Sequence, residues 1–447
     1  MPCEPTHHAS IQSYLNNYGE VEAHGLDNWP EGLSWQRSIV LPAYNEAADF
    51  YRATCAKLSD QDRLSSLVIV VINRPDSEPD SGPSAALFAT LMGESTVLWQ
   101  HNNRYLLQPR QGKQGRGHTL VVDRFSQGHT LAAKQGVGLA RKIGADIACA
   151  LYARGHIQRP WLYSLDADAI APDNYFTAEN LANPKSVAAF IFNFKHGSFI
   201  ESQATSAAIS EATERYERAI CYYADALKWA GSPYGFCTLG SAFAVNTHHY
   251  ALARGFPKRP AGEDFYLLNK IAKIGSVQHC HEICIGIHAR LSSRVPFGTG
   301  PAVAALLNNQ DKAHLYYHFS IFIKLKQMIN IATAHHCALQ KIEDIPTSEL
   351  QAVMSALKFT SFLAHAKKQC NNAEDWLKHF HQWFDAFKVL KFVHYLQEHG
   401  YAPQALEKSI EILKAYRERD DHHHTQQNRA QENNAQQNRA QQNRACK

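Results

Sequence analysis

Two carboxylates one residue apart, Asp166 and Asp168, close the apolar run Trp161-Leu-Tyr-Ser-Leu165. Side chains two positions apart in an extended chain point to the same face, so these acids converge on one point. Hard oxygen ligands at the carboxyl end of a buried strand suit Mg²⁺ or Mn²⁺, ions that bridge and neutralise a diphosphate. A second acidic pair, Glu263-Asp264, opens a segment with Phe265, Leu268 and Ile271 on one helical face and a stop at Gly275. Acids in a first turn complement the helix dipole. A carboxylate held there can equally act as a general base, and the segment by itself leaves both readings open.

The elements that must position these groups follow from the apolar pattern. A first strand, Ser38-Ile-Val-Leu41, breaks at Pro42-Ala43-Tyr44-Asn45-Glu46 and runs into a helix-forming stretch from Ala47 to Leu58, the opening of an alternating α/β domain. Ligands in such domains sit beyond the carboxyl ends of the strands, which puts Tyr44 and Glu46 at a site rim. The next strand, Leu67 to Ile72, is continuously apolar, as a strand covered on both faces should be, and ends at Asn73. The Gly-rich basic loop Arg110–Gly117 lacks P-loop spacing and reads as a mobile surface loop; if functional, it is a lid bringing Lys113 and Arg116 to phosphate. A helix over 130–145 carries Arg141, read either as a solvated helix arginine or as a contact to the donor. Val187 to Phe194 is another buried strand, a helical region follows from Glu201 to about Trp229, and Gly240-Ser241 offers backbone that a ligand can approach closely.

Composition narrows the class. At 447 residues the chain exceeds what one core usually serves, and its net charge of +4 lacks the concentrated basic face of a nucleic-acid binder. The ten cysteines are scattered, the start lacks a signal-peptide pattern, and no apolar run approaches bilayer length. A reducing cytoplasm is the expectation, with peripheral membrane contact left open. His279, Cys280, His281 and Cys284 invite a zinc reading, but in a strand the histidines face opposite to the cysteines, so an ordinary strand is preferred. Arg290 and Arg294 read as phosphate forks or surface pairs.

Four motifs, Val40-Leu-Pro42-Ala43-Tyr44-Asn45-Glu46, Leu165-Asp166-Ala-Asp168-Ala, Gly240-Ser241-Ala242-Phe243 and Gly262-Glu263-Asp264-Phe265, resemble in order the family 2 glycosyltransferases of GT-A fold, over about residues 37–300. The resemblance implies a Rossmann-like, mixed and mostly parallel α/β sheet with flanking helices and a nucleotide-diphosphate sugar as donor. It implies that Pro42, Ala43, Tyr44, Glu46, Asn73 and Arg141 meet the donor and that Asp168 ligates Mn²⁺ or Mg²⁺. Asp166 would contact ribose or metal; His288 is placed as a further metal ligand, with a satisfied structural histidine as the preferred reading. Gly240 and Ser241 would face the acceptor hydroxyl, whose identity is open. Asp264 matches the base, with Glu263 next in line. Where the family usually carries an aspartate and a Gly-Ser loop, this chain has Ile72-Asn73-Arg-Pro, which leaves the nucleotide undefined. A Gln-x-x-Arg-Trp pattern is not evident, so single addition is expected.

Residues 1–36 read as an arm or lead-in helix, 37–300 as the catalytic domain, 301–419 as a helical region and 420–447 as a disordered tail of Gln-Gln-Asn-Arg-Ala-like repeats. Trp376, Phe380, Trp383, Phe387 and Leu390 form a core-facing or partner-facing stripe. Oligomeric state is not written in the sequence. Against the inverting transferase stand a non-catalytic nucleotide-sugar-binding scaffold and a retaining transferase, the latter suggested by a histidine metal ligand.

Overall fold

The computed structural model describes residues 5–26, 28–110, 117–180, 187–200, 205–292, 294, 296, 298–308, 315–334 and 339–422. The chain divides into two compact units, one of Met1–Arg218 with Phe236–Gln310, the other of Ala219–Gly235 with Asp311–Lys447.

The first unit is built on strands β1 (Arg37–Ala43), β2 (Ser66–Asn73), β3 (Ser95–His101), β4 (Arg104–Pro109), β5 (Thr119–Arg124), β6 (Trp161–Ser164), β7 (Ala169–Ile170), β8 (Val187–Gly197), β9 (Phe243–Asn246) and β10 (Ser276–His288). They form one ten-stranded sheet in the order β3-β4-β5-β2-β1-β6-β9-β8-β10-β7. Its centre is parallel: β1 pairs with β2 and with β6, and β2 with β5. The expected mixed α/β sheet with flanking helices is present. Every residue of β2 is buried, which explains its unbroken apolar run.

Helices α1 (Pro5–Tyr18), α2 (Ala48–Thr54), α3 (Asp60–Leu64), α4 (Gly82–Gly93), α5 (Gly136–Ala153), α6 (Ala207–Trp229), α7 (Thr247–Leu252), α8 (Glu263–Ile271) and α9 (Thr299–Asn308) follow in chain order, with the unit boundary falling inside α6. Helix α5 lies against β1 and β2 and is buried from Gly138 to Leu151. Its fully buried Asp146 accepts from Tyr14 Oη at 2.6 Å, Tyr250 Oη at 2.8 Å, Glu20 N at 2.9 Å and Lys142 Nζ at 2.5 Å. A buried carboxylate is tolerated because each oxygen is paired, and the same bonds tie α1 and α7 to α5. The N-terminal segment is therefore more than an arm: Ile11, Tyr14, Leu15, Leu26, Trp29 and Trp35 all belong to the sheet's core.

In the second unit α10 (Phe319–Ala334), α11 (Ser348–Ala356), α12 (Phe359–Gln369), α13 (Ala373–Trp383) and α14 (Ala386–Glu398) enclose a core that includes Phe319, Phe322, Phe359, Phe362 and Phe380. The aromatic stripe holds for Trp376 and Phe380 but not beyond Trp383. The helix breaks there and Asp385 caps a new one, accepting from Lys388 N at 3.1 Å, so Phe384, Val389 and Phe392 face inward in place of Phe387 and Leu390. The Gln-Gln-Asn-Arg-Ala-like repeats lie outside the described residues.

Candidate active site

Strand direction decides what meets. β9 runs antiparallel to both β6 and β8, and β10 runs parallel to β8. The carboxyl ends of β1, β2, β6, β8 and β10 therefore share one edge with the amino end of β9. At that edge the order reverses, with β2 on one side of β1 and β6 on the other, the kind of switch point where α/β sheets bind ligands. A cavity of about 440 Å³ opens there, lined by Pro42, Tyr44, Glu46, Asn73, Arg141, Asp166, Asp168, Gly240, Ser241, Glu263, Asp264 and His288 among others. Its size suits a small-molecule ligand. Of the sequence-derived site residues, Ala43 alone is not in the lining; it is buried within β1.

Arg141 is neither solvated nor held out for a donor. It is 1 % exposed. Its Nε donates to Glu263 Oε1 at 3.0 Å, its Nη1 to Ser164 Oγ at 2.6 Å and Gly240 O at 3.1 Å, and its Nη2 to Asp166 Oδ1 at 2.6 Å. One guanidinium thus braces α5, β6, α8 and the turn before β9. Gly240 has to be glycine for this: a Cβ would stand 2.4 Å from Arg141 Nη2. Ser241 Oγ donates to the other oxygen of Asp166 at 2.6 Å, which makes it a holder of that acid before anything else. Burial pushes the Asp166 carboxyl up, but Arg141 and these hydrogen bonds outweigh it and leave the group below its ordinary range. Glu263, buried and bound to Arg141, is an anchor, so its reading as runner-up base is corrected.

Glu46, expected at the site rim, lines the cavity from a buried position. Asn45 takes a left-handed φ of 53°, which an asparagine tolerates, and Glu46 turns inward to a buried position. Arg290 Nη1 and Nη2 donate to its two oxygens at 2.9 and 2.6 Å, and Arg294 Nη1 also binds Oε1. Arg290 Nε donates to Asp168 Oδ2 at 3.0 Å, and Arg294 Nη1 to Tyr44 O at 2.8 Å. Tyr44 and Pro42 remain at the rim with Asn73, whose Nδ2 donates to Val71 O at 3.3 Å.

Asp264 is half-buried at the start of α8, after Gly262 at a φ of 73°. Its Oδ1 accepts from Phe265 N at 2.7 Å. Burial, reinforced by the neighbouring Glu263, raises its pKa from 3.8 to about 7. A carboxylate so poised is matched to proton transfer near neutrality.

The expected metal set is reduced to its two aspartates. Asp166 and Asp168 offer hard oxygens at one edge, a donor set suited to Mg²⁺ or Mn²⁺, which takes one or two carboxylates and completes its shell with phosphate and water. His288 does not join them. Its Nδ1 accepts from Phe199 N and Ile200 N at 3.1 and 3.2 Å, and its Nε2 lies 3.4 Å from Thr205 Oγ1. With both ring nitrogens engaged it supports the backbone beside β8, and the ground for expecting retention goes with it. Among the described residues no group of three or more His, Cys, Asp and Glu is placed to hold a metal ion. The Gly-rich loop, read as a mobile surface loop or, if functional, as a lid, has its residues 111–116 outside the described residues.

Thr213 and Tyr216 of α6, with Thr238, also line the cavity and were not singled out in the sequence. They carry no motif. Polar residues inside a helical period read as its wet face until another element covers them.

No protein-family model and no curated protein sequence matches this chain. Among solved structures, S. aureus TarS 1–349 in complex with UDP-GlcNAc matches at 10% identity, covering 78% of this chain and 91% of that one, with a TM-score of 0.33. The mannosyltransferase PcManGT from Pyrobaculum calidifontis in complex with GDP-Man and Mn²⁺ matches at 14% identity over 88% and 96%, TM-score 0.32. Glucosyl-3-phosphoglycerate synthase from Mycobacterium tuberculosis, in complex with Mn²⁺ and UDP-glucose, matches at 12% over 70% and 83%, TM-score 0.29. Likeness at this level carries no argument about this chain, whose fold and site rest on its own geometry.

Proposed function

We propose that this chain is a GT-A glycosyltransferase that moves a sugar from a nucleotide-diphosphate sugar to an acceptor hydroxyl with inversion, using Mn²⁺ or Mg²⁺. One observation carries the reading: Asp166 and Asp168 after β6, and Asp264 at the start of α8, line the same cavity at the switch point of the sheet. Asp168, steadied by Asp166, would hold the divalent ion, which when bound supplies charge compensation for the departing diphosphate.

The chain's own groups account for the remainder. Glu46, Asp166, Asp168, Glu263 and Asp264 face Arg141, Arg290 and Arg294 in the lining, an excess of carboxylates that would repel an anionic donor arriving without a cation. Arg290, bound to Glu46 and Asp168, and Arg294, bound to Glu46, place positive charge at the same part of the lining, where the diphosphate would lie. Tyr44, Pro42 and Asn73 line the part of the rim formed by β1 and β2, where the nucleoside would sit. Asp264 takes the proton from the acceptor hydroxyl as its oxygen attacks the anomeric carbon from the side opposite the leaving group. A cytoplasmic location is part of this reading; no helix of the described residues is long and apolar enough to cross a membrane.

The test is a thermal-shift panel of nucleotide sugars with Mn²⁺ or with a chelator, followed by incubation with hydroxyl acceptors and anomer analysis of the product. Metal-dependent stabilisation and an inverted product are expected. A protein that binds donor yet neither transfers nor hydrolyses it would be a scaffold.

A further inference from the structure

The wall of the cleft nearest Asp264 differs in kind from the wall at Asp168. Tyr216 is half-buried there, hydrogen-bonded to Thr299, and lines the same cavity as Asp264. Thr213 sits three residues earlier on the same face of α6, and Thr238 and Phe265 line the cavity with them. None of these five side chains carries a charge. The arginines of the lining are already committed to acids: Arg141 to Asp166 and Glu263, Arg290 to Glu46 and Asp168, Arg294 to Glu46. No lysine lines the cavity among the described residues.

We propose, resting on the transferase reading above, that the acceptor is a neutral polyhydroxylated molecule such as an uncharged glycoside, and that Tyr216 positions it for Asp264. An acceptor phosphate or carboxylate would lie against Asp264 and Glu263, where among the described residues the arginines of the lining are paired with acids and His196 with Glu217. A sugar ring suits the wall on both counts: its C–H face packs on an aromatic ring, and its hydroxyls pair with threonine and tyrosine oxygens. Thr213 Oγ1 donates to Ile209 O at 2.7 Å, which leaves its oxygen an acceptor. In the reaction the acceptor O–H bond breaks toward Asp264, the new C–O bond forms at the anomeric carbon, and the bond to the diphosphate breaks with its electron pair leaving on oxygen.

The experiment begins with calorimetry of UDP- and GDP-hexoses in the presence of Mn²⁺. It continues with transfer to p-nitrophenyl hexosides and to the same hexosides bearing a 6-phosphate. Donor binding together with at least tenfold higher kcat/KM on the neutral set is expected. Tyr216→Phe should raise the acceptor KM about tenfold while donor affinity stays unchanged, a split that loss of fold would not produce. Thr238→Lys, in a loop, should move preference toward the phosphorylated set. Donor binding with preference for phosphorylated acceptors, or with transfer to neither set, overturns this proposal and leaves the donor reading standing. Absence of donor binding overturns the transferase reading itself.

Discussion

Arg290 grips Glu46 through both terminal nitrogens, at 2.9 and 2.6 Å, across 244 positions of sequence. The third nitrogen of the same guanidinium reaches Asp168 at 3.0 Å. Glu46 therefore governs how tightly Arg290 can close on the aspartate proposed to hold the metal. Glu46→Gln leaves shape but weakens that grip, and Arg290 then competes with the cation at Asp168. The Mn²⁺ concentration giving half-maximal donor binding should rise about tenfold, equivalent to ~1.4 kcal/mol. Calorimetry across a manganese series measures it, and an unchanged midpoint would remove Glu46 from this role.

Asp264→Asn keeps the size of the side chain and removes the base. Transfer should fall by at least ~10²-fold while donor affinity in Mn²⁺ is retained. Ordinary turnover by the purified variant would move the base elsewhere.

The pKa of Asp264, raised from 3.8 to about 7, sets the direction of the pH profile. The base works only when ionised, so transfer should climb with pH through about 7 and fall about tenfold for each unit below it. In stability the sign is the reverse. The folded state holds this proton more tightly than the unfolded chain, so the group's contribution declines as pH rises from about 4 to about 7. Rate profiles of wild type and Asp264→Asn decide the point: the inflection near neutrality should vanish in the variant.

Asp168→Ala should abolish the dependence of donor binding on Mn²⁺, seen as identical calorimetric traces with metal and with chelator. His288→Gln should instead lower the melting temperature and leave the manganese midpoint where it was, because both ring nitrogens serve neighbouring groups. A large loss of manganese affinity in that variant would return His288 to the metal.

Asp146→Asn removes the nearest carboxylate from Lys142, whose side chain is 4% exposed, and leaves it only the longer pair to Glu20 at 3.4 Å. Breaking a buried pair from one side costs about 3–5 kcal/mol, whereas an apolar replacement of both partners costs far less. Urea unfolding of Asp146→Asn beside a Lys142→Met/Asp146→Leu double variant should show the double to be the more stable.

Much of this site is local chemistry and could be read along the chain. The unbroken run in β2, the proline after Leu41, the aspartates two apart after Leu165 and the acids opening α8 each follow from periodicity or residue type within a few positions. Those features determined an alternating α/β domain and nominated Asp166, Asp168 and Asp264. Partners were another matter. Arg141 had the same appearance as a solvated helix arginine, Glu46 as a free rim carboxylate and His288 as an available ligand, because a side chain's propensity does not reveal which distant strand will cover it. Tertiary structure decided that Arg141 is consumed by two acids, that Glu46 binds two arginines and that His288 faces backbone amides. The physical reason is that burying a charge or a ring nitrogen requires a partner, and the fold supplies that partner from wherever strand order happens to bring it.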